Sequence, residues 1–278
     1  MKKNSKPLIL GTEVFSGDWG IIFTKKMIEK ILICFNDLEC NEIDTAPSYG
    51  KSNYVEKILG QVVKENQNTK FKISSKFIFN SIEKKNIKNL IKKIENQLDN
   101  SLMNLNVDAI DTYYFHSGTN EFFFIDEVWE YLNNRKKRGD INHLGLSMKH
   151  QLVENNDLKQ VYNLNNYGIT KVQTVLNLFS KHSLNELIPF CNANQITVYG
   201  RMPLAKGLLS GKYGNKNSLN TNDPRKNNEF TDKIIKFKLE NKDLDLEKVI
   251  KWPLKYVRKI IFGVKNPNQL EEIANIFK

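Results

Sequence analysis

The stretch Ile43-Asp44-Thr45-Ala46-Pro47-Ser48-Tyr49-Gly50 places a carboxylate and a phenol five residues apart, across the end of a predicted strand. A lysine, Lys76, and a histidine, His116, close two later apolar runs. Polar groups at the ends of three successive strands are typical of a (β/α)8 barrel enzyme, because catalytic residues of that fold lie at the carboxyl-terminal ends of its strands. The pattern therefore predicts an enzyme built on such a barrel.

These motifs resemble those of the aldo-keto reductase family. The first stretch resembles the family's Asp-Thr-Ala-x-x-Tyr-Gly motif, and residues 71–77 and 111–116 resemble its lysine and histidine strands. Further similar segments follow in the family's order: Val107–Asp111, Val128–Glu130, Gly139–Ile141, Gly145–Ser147, Pro203–Tyr213 and Phe262–Leu270. The resemblance runs from about Leu8 to the C-terminus. It implies a single-domain α/β protein, a (β/α)8 TIM barrel over residues 1–278.

Strand-like and helix-like runs alternate along the whole chain, and eight strand–helix units can be counted. The clearest helix is predicted over Glu83–Leu105, where apolar residues recur at three- and four-residue steps. No linker rich in Pro, Gly or Ser divides the chain, which favours one domain. Strands are predicted at Leu8–Thr12, Glu42–Ala46, Phe71–Phe77, Ala109–Phe115, Ile141–Met148, Lys171–Leu176, Ile196–Met202 and Lys259–Val264.

Two segments bear on the mouth of the predicted barrel. Residues 214–232 are rich in Asn, Lys and Asp and have almost no apolar residues, so we expect a flexible loop after strand seven rather than regular structure. Such a loop lies on the catalytic face and could close over a cofactor. The chain ends at Lys278, directly after the predicted eighth helix. Many members of the family carry a further C-terminal loop there, so an open substrate pocket is expected.

Composition limits the classes of partner. Lys and Arg outnumber Asp and Glu by 42 to 31, a net charge of +11 that suits either nucleic acid or a small anionic ligand. The lysines are dispersed among asparagines without an aromatic-rich basic stripe, so solvation and general attraction of anions are favoured over nucleic acid. No apolar run approaches the roughly 18 residues that a membrane span needs. We therefore expect a soluble protein without a membrane or nucleic-acid partner.

Cysteine spacing bears on metal binding and on location. Cys34, Cys40 and Cys191 lack any Cys-x-x-Cys spacing and lie within or beside apolar helical runs. Free thiols are therefore favoured over disulfides or metal ligands. The sequence predicts no metal site, and the thiols fit a cytoplasmic protein.

The resemblance implies a catalytic tetrad of Asp44, Tyr49, Lys76 and His116. Carbonyl reduction needs a hydride on carbon and a proton on oxygen, which the nicotinamide and the tyrosine would supply respectively. A neighbouring ammonium favours the phenolate, so Lys76 is expected to lower the pKa of Tyr49. Asp44 would hold the lysine charged and aimed, and His116 would orient the carbonyl oxygen. Taken singly, each residue also fits a structural role: a turn cap, a solvated lysine or a core histidine.

The cofactor implied by the resemblance is NADP, with NAD possible, extended across the barrel mouth. The absence of a Gly-x-Gly-x-x-Gly motif argues against a Rossmann domain. Three departures from the family pattern are Met148 for an Asn that holds the carboxamide, Arg201 where a residue often stacks on the nicotinamide ring, and Ile273 for a common Asn. The cofactor positions are occupied here by Ser147, Gln173, Arg201, Leu204, Gly263, Lys265, Gln269 and Glu272.

Lys265 decides the choice between the two dinucleotides. Its side chain could meet a 2′-phosphate, although no arginine follows it, and an exposed lysine without a ligand is an equal alternative. The sequence therefore predicts a modest preference for NADP.

The substrate expected is a small aldehyde, ketone or sugar-like carbonyl compound, or the matching alcohol, acted on by a monomer or weak homo-oligomer. The alternative is a nucleotide-sensing regulatory or binding protein on the same barrel, with little turnover because the departures misplace the cofactor. The intact tetrad argues against it. Trp19 is open to two interpretations, an aromatic wall of the substrate pocket or a core residue.

Overall fold

Apolar runs near the predicted positions form a closed barrel of parallel strands in the computed structural model. The structure describes residues 6–66, 70–79, 86–219, 223–227 and 230–278. Each strand pairs with the next along the chain, and the last pairs with the first. The eight strands are β1 (Leu8–Gly11), β2 (Glu42–Asp44), β3 (Lys72–Phe77), β4 (Ile110–His116), β5 (Ile141–Ser147), β6 (Ile169–Val175), β7 (Thr197–Arg201) and β8 (Lys259–Phe262). The predicted TIM barrel is confirmed.

Helices connect the strands and cover the outside of the barrel. In the described residues they are α1 (Lys25–Asp37), α2 (Tyr54–Glu65), α3 (Ile87–Leu105), α4 (Asn120–Phe123), α5 (Asp126–Arg138), α6 (His150–Glu154), α7 (Lys159–Tyr162), α8 (Leu187–Ala193), α9 (Phe230–Glu240), α10 (Leu246–Lys251) and α11 (Pro267–Asn275). The clearest predicted helix is α3, which begins after Asn86, whose side chain accepts a hydrogen bond from the Asn89 N–H. The first residues of the range predicted for it, with Glu83, lie outside the described residues.

Alternation along the strands divides the apolar residues between two cores. Leu8 and Leu10 of β1 belong to the large core between barrel and helices, whereas Ile9 packs inside the barrel with Tyr199 and Ile261. Residues two positions further along the same strands therefore point to the same side, one layer nearer the barrel mouth. In β1 and β7 that layer contains Gly11 and Arg201, and Gly263, directly after β8, has the corresponding position.

A close helix contact holds the chain next to the mouth. In α2, Gly60 lies against α3, and a Cβ atom there would come within 1.9 Å of the backbone oxygen of Asn104. Only glycine permits this approach, because the neighbouring atom belongs to the backbone and cannot move aside. The contact fixes α2, which begins five residues after Tyr49.

The segment 214–232 was predicted to be a loop without regular structure, and the described parts of it differ from that prediction. Its described parts contain two short 3-10 turns, Lys216–Ser218 and Pro224–Asn227, and the first residues of α9. Buried Arg225 donates from Nε to Asp223 Oδ1 at 2.8 Å, so an ion pair supports a segment that has few apolar residues. Residues 220–222 and 228–229 lie outside the described part, and the mobility of the segment stays a prediction.

The described residues include no helix that is long and apolar enough to cross a membrane. Cys34, Cys40 and Cys191 are free thiols, and the latter two are buried.

Candidate active site

The predicted tetrad comes together at the carboxyl-terminal end of the barrel. Asp44 ends β2, Lys76 lies one residue before the end of β3, His116 ends β4, and Tyr49 lies in the loop between β2 and α2. Lys76 Nζ donates to Asp44 Oδ2 at 2.7 Å and lies 3.2 Å from the Tyr49 hydroxyl oxygen. Its third contact is the backbone oxygen of Thr45, at 2.6 Å. The ammonium is thus fully bonded.

The lysine and aspartate form a buried ion pair, with side-chain exposures of 0% and 4%. Burial acts to lower the pKa of Lys76. The Asp44 carboxylate and the Tyr49 oxygen raise the pKa by more than burial lowers it, so the net pKa lies above the ordinary value. Lys76 therefore stays charged at neutral pH. The pair explains how a lysine is kept as a cation inside an apolar barrel.

Lys76 lowers the pKa of Tyr49, as expected, but the net pKa lies above the ordinary value. Burial raises the pKa of Tyr49 by more than Lys76 lowers it, and Asp44 and Glu13 raise it as well. The phenol is therefore protonated at neutral pH. What Lys76 contributes is a cation in place to stabilise the phenolate once the proton leaves.

His116 lies beside Tyr49, with ring centroids 6.3 Å apart in an edge-to-face arrangement. Burial lowers the pKa of His116 well below its usual range, and the charges of Lys76 and Arg201 lower it further. The imidazole is therefore neutral at neutral pH. A neutral imidazole can donate one hydrogen bond to a carbonyl oxygen without competing with Tyr49 as the proton source.

Two predicted cofactor residues, Ser147 and Gln173, lie beneath this group on paired positions of β5 and β6. Gln173 Nε2 donates to Asp44 Oδ1 at 2.6 Å, a bond that sequence reasoning missed because the two residues are 129 positions apart. Gln173 Oε1 and Ser147 Oγ are buried and have no hydrogen-bond partner. One acceptor and one hydroxyl match the NH2 and oxygen of a carboxamide, so these residues fit a nicotinamide.

Met148 departs from the family pattern, and its side chain is fully buried in the apolar core. It therefore offers nothing to a carboxamide through its side chain. Its backbone oxygen instead accepts a hydrogen bond from Arg201 Nη2 at 2.8 Å.

A cavity of about 270 Å³ extends from the tetrad along the barrel mouth. Asp44 and Tyr49 line one end, and the N-terminal turn of α11 lines the other. Ser147 and Gln173 do not line it. The other predicted cofactor residues all do: Arg201, Leu204, Gly263, Lys265, Gln269 and Glu272. Ile273, the third departure, lines it too. An elongated opening bounded by these residues suits an extended dinucleotide.

At the α11 end, two backbone N–H groups are bonded to side chains of the same segment. The Lys265 N–H donates to Gln269 Oε1 at 2.8 Å, and the Gln269 N–H donates to Asn266 Oδ1 at 3.0 Å, which caps the helix. The start of a helix favours anions. The Lys265 side chain adds a positive charge beside it.

Lys206 and Tyr213 were not assigned to the site from the sequence, and Arg225 was expected there as part of the segment 214–232 that could close over a cofactor. The loop after β7 contributes Lys206, Tyr213 and Arg225. Arg225 donates to the Tyr213 hydroxyl at 3.0 Å and to the Lys206 oxygen at 2.8 Å, which ties the loop to the cavity. Trp19 lines the cavity with Lys206 Nζ 5.1 Å from its ring centroid, which favours the wall interpretation over the core one. The sequence signal for these residues was weak, because their neighbours are far apart in the chain.

The chain is similar in sequence to known proteins of one family. A family model described as the aldo/keto reductase family matches residues 7–278. The NADH-specific methylglyoxal reductase of Escherichia coli is 31% identical over 62% of this chain and 54% of its own length. The chain thus aligns with only about half of that relative. Aldo-keto reductase YhdN of Bacillus subtilis is 26% identical over 96% of this chain and 83% of its own.

Among solved structures, a glycerol dehydrogenase from Gluconobacter oxydans superposes with a TM-score of 0.79 and 22% identity. The superposition covers 100% of this chain and 88% of that one, and at this identity it shows the fold.

Asp44→Asn should lower the free energy of unfolding by about 3–5 kcal/mol, because it leaves the buried Lys76 ammonium without a counter-charge. Urea denaturation at neutral pH measures the change. Asp99→Asn is the matched control, since the Asp99 side chain is 54% exposed in its ion pair with Arg135. In that control variant the free energy of unfolding should fall by about 1 kcal/mol or less. Equal losses in the two variants would contradict the buried-pair interpretation.

Proposed function

The chain belongs to the aldo/keto reductase family, and on that premise we propose that it transfers a hydride between NADP(H) or NAD(H) and a carbonyl compound. The substrate is an aldehyde, ketone or sugar-like carbonyl, or the matching alcohol. The observation that carries the proposal is the Lys76 ammonium, which bonds Asp44 at 2.7 Å and Tyr49 at 3.2 Å at one end of the cavity. Supporting it are the unpartnered Ser147 and Gln173 atoms, which suit a carboxamide.

In the proposed reaction, Tyr49 is the proton donor. When bound, a nicotinamide would supply the hydride that the carbonyl carbon accepts. As the carbonyl oxygen gains electron density, the Tyr49 hydroxyl transfers its proton to that oxygen and becomes a phenolate. Lys76 stabilises the phenolate, and Asp44 keeps Lys76 oriented and charged. Neutral His116 donates a hydrogen bond to the same carbonyl oxygen, and Tyr49 regains a proton from solvent after the alcohol leaves.

A nucleotide-binding protein with little turnover is the second candidate. It is favoured by the burial of the Met148 side chain, which removes one contact to the carboxamide. Ser147 and Gln173 still supply two contacts, and the tetrad bonds are intact. Catalysis therefore remains the preferred proposal.

The cofactor preference is proposed from charge. Lys265 lies at the anion-favouring start of α11 and lines the cavity, which supports NADP. The name of the Escherichia coli relative specifies NADH and therefore favours NAD instead. A monomeric or weakly associating protein in the cytoplasm is also proposed, and the free thiols fit that location.

Tyr49→Phe should reduce carbonyl turnover by about a hundredfold or more, because general acid catalysis contributes roughly 10² to 10⁴. Cofactor affinity should stay nearly unchanged, since the ring remains. Loss of reduced-nicotinamide absorbance gives kcat, and fluorescence titration gives the Kd of the cofactor.

Lys76→Met should be nearly as damaging to turnover, and the double variant should be little worse than either single one, because the two residues act as a unit. Near-normal turnover of purified Tyr49→Phe would remove Tyr49 from the acid role. Additive losses in the double variant would show that Lys76 acts separately.

NADPH should bind more tightly than NADH, by a modest factor, because Lys265 has no arginine beside it to give bidentate contacts. Fluorescence titration with each cofactor measures both dissociation constants. In Lys265→Met the two constants should become similar. Lys255→Met, which removes a lysine that does not line the cavity, is the charge-matched control. Equal constants in the unmodified protein, or tighter NADH, would reject the preference.

A further inference from the structure

Buried cations in the described residues have carboxylate partners. The pairs are Lys76 with Asp44 at 2.7 Å, Arg135 with Asp99 at 2.6 Å, Lys259 with Glu42 at 2.9 Å and Arg225 with Asp223 at 2.8 Å. Arg201, half-buried at the end of β7, differs from all of them. Within the part of the chain that the structure describes, it makes no ion pair.

The Arg201 guanidinium is also incompletely hydrogen-bonded. Nη2 donates to the Met148 oxygen at 2.8 Å. Nε is buried without a partner, and Nη1 has no hydrogen bond to another described residue. An arginine at such a site normally has its N–H groups bonded, because an unsatisfied buried donor costs free energy. The free N–H groups indicate that Arg201 is shaped for a ligand.

Its position places that ligand next to the reacting group. Arg201 follows Tyr199 by two residues and so lies one layer, about 7 Å, nearer the barrel mouth on the inner side. Tyr199 pairs with Gln173, which contacts Asp44. Arg201 lines the same cavity as Tyr49, and its charge acts on His116.

The charge balance supports an anion at this point. Lys76 is already compensated by Asp44 and bonded to Tyr49 and Thr45. Among the described residues that line this cavity, Arg201 is a half-buried cation without a carboxylate partner, whereas Lys206 is exposed to solvent. A guanidinium offers parallel N–H donors that match the two oxygens of a carboxylate or phosphate.

We propose that Arg201 binds an anionic group on the substrate itself, so that the protein selects aldehydes or ketones that carry a carboxylate or a phosphate. This inference rests on the proposed function and adds the substrate class. The other source of a matching anion is a phosphate of the dinucleotide. The stretch of the cavity lined by Lys265 and the start of α11 already offers a cation and a helix terminus to that phosphate.

The test compares matched substrate pairs: succinic semialdehyde against butanal, and glyceraldehyde 3-phosphate against glyceraldehyde. The measured quantity is the ratio of kcat/KM for the anionic member to that for the neutral member. The unmodified protein should favour the anionic member of at least one pair by about tenfold or more. Arg201→Met should reduce that ratio by about tenfold to a hundredfold, as expected for a hydrogen bond to a charged group.

Two further variants separate local binding from general attraction. Lys206→Met removes an exposed charge at the same cavity and should change the ratio less than about threefold, because an exposed charge is screened. Arg201→Lys keeps the charge but loses the parallel N–H donors of the guanidinium. Its ratio of kcat/KM values should lie between that of the unmodified protein and that of Arg201→Met. Should Arg201→Met fail to fold, Arg201→Lys together with Arg201→Gln gives the same comparison.

The outcomes are distinguishable. Reduction of butanal and glyceraldehyde with no preference for the anionic partners would overturn the substrate class and leave the proposed function standing. A ratio unchanged by Arg201→Met, together with a weakened Kd for NADPH, would assign the guanidinium to the cofactor and overturn the inference. No reduction of any of these substrates with either cofactor would reject the inference and count against the proposed function.

Discussion

The buried ion pair between Lys76 and Asp44 is the interaction on which the site depends. Asp44 pairs with Ser74 across β2 and β3, so Lys76 lies two residues further along β3 on the same face and reaches back to the carboxylate. Neither charge is stable alone in an apolar barrel, because desolvation of an ion costs several kcal/mol. Together they fix the ammonium 3.2 Å from the Tyr49 hydroxyl, and the second Asp44 oxygen holds Gln173. One carboxylate thus connects the proposed proton donor with a residue suited to a nicotinamide.

Much of the fold could be predicted from the sequence, because strands buried on both faces are apolar runs and the helices between them show one apolar face. β4, for example, is predicted at Ala109–Phe115 and found at Ile110–His116. The tetrad could also be placed, since each member occurs at or just after the end of a strand. Six of the eight predicted cofactor residues line one cavity, and the other two lie beneath it.

What the sequence did not predict depends on contacts between distant residues. The net pKa of Tyr49 follows from its burial, which no local pattern reports. Residues 214–232 look unstructured by composition, yet the ion pair of Arg225 with Asp223 and the packing of Leu219 against Ile235 organise their described parts. The sequence placed Arg201 among the cofactor positions. Its unpartnered Nε and missing carboxylate partner indicate an anionic ligand, and its place in the cavity of Tyr49 favours the substrate as the source of that anion.

Hydride transfer itself is tested most directly by isotope labelling. The protein is incubated with NADPH, or NADH, deuterated at one face of nicotinamide C4, and with an excess of an aldehyde that it reduces. Mass spectrometry of the alcohol should find one deuterium on the former carbonyl carbon with one of the two labelled faces and none with the other. The contrary result is cofactor binding without any deuterated alcohol, for neutral and anionic aldehydes and for both labelled faces. That result would contradict the proposal that the protein is an enzyme and would favour a nucleotide-binding protein.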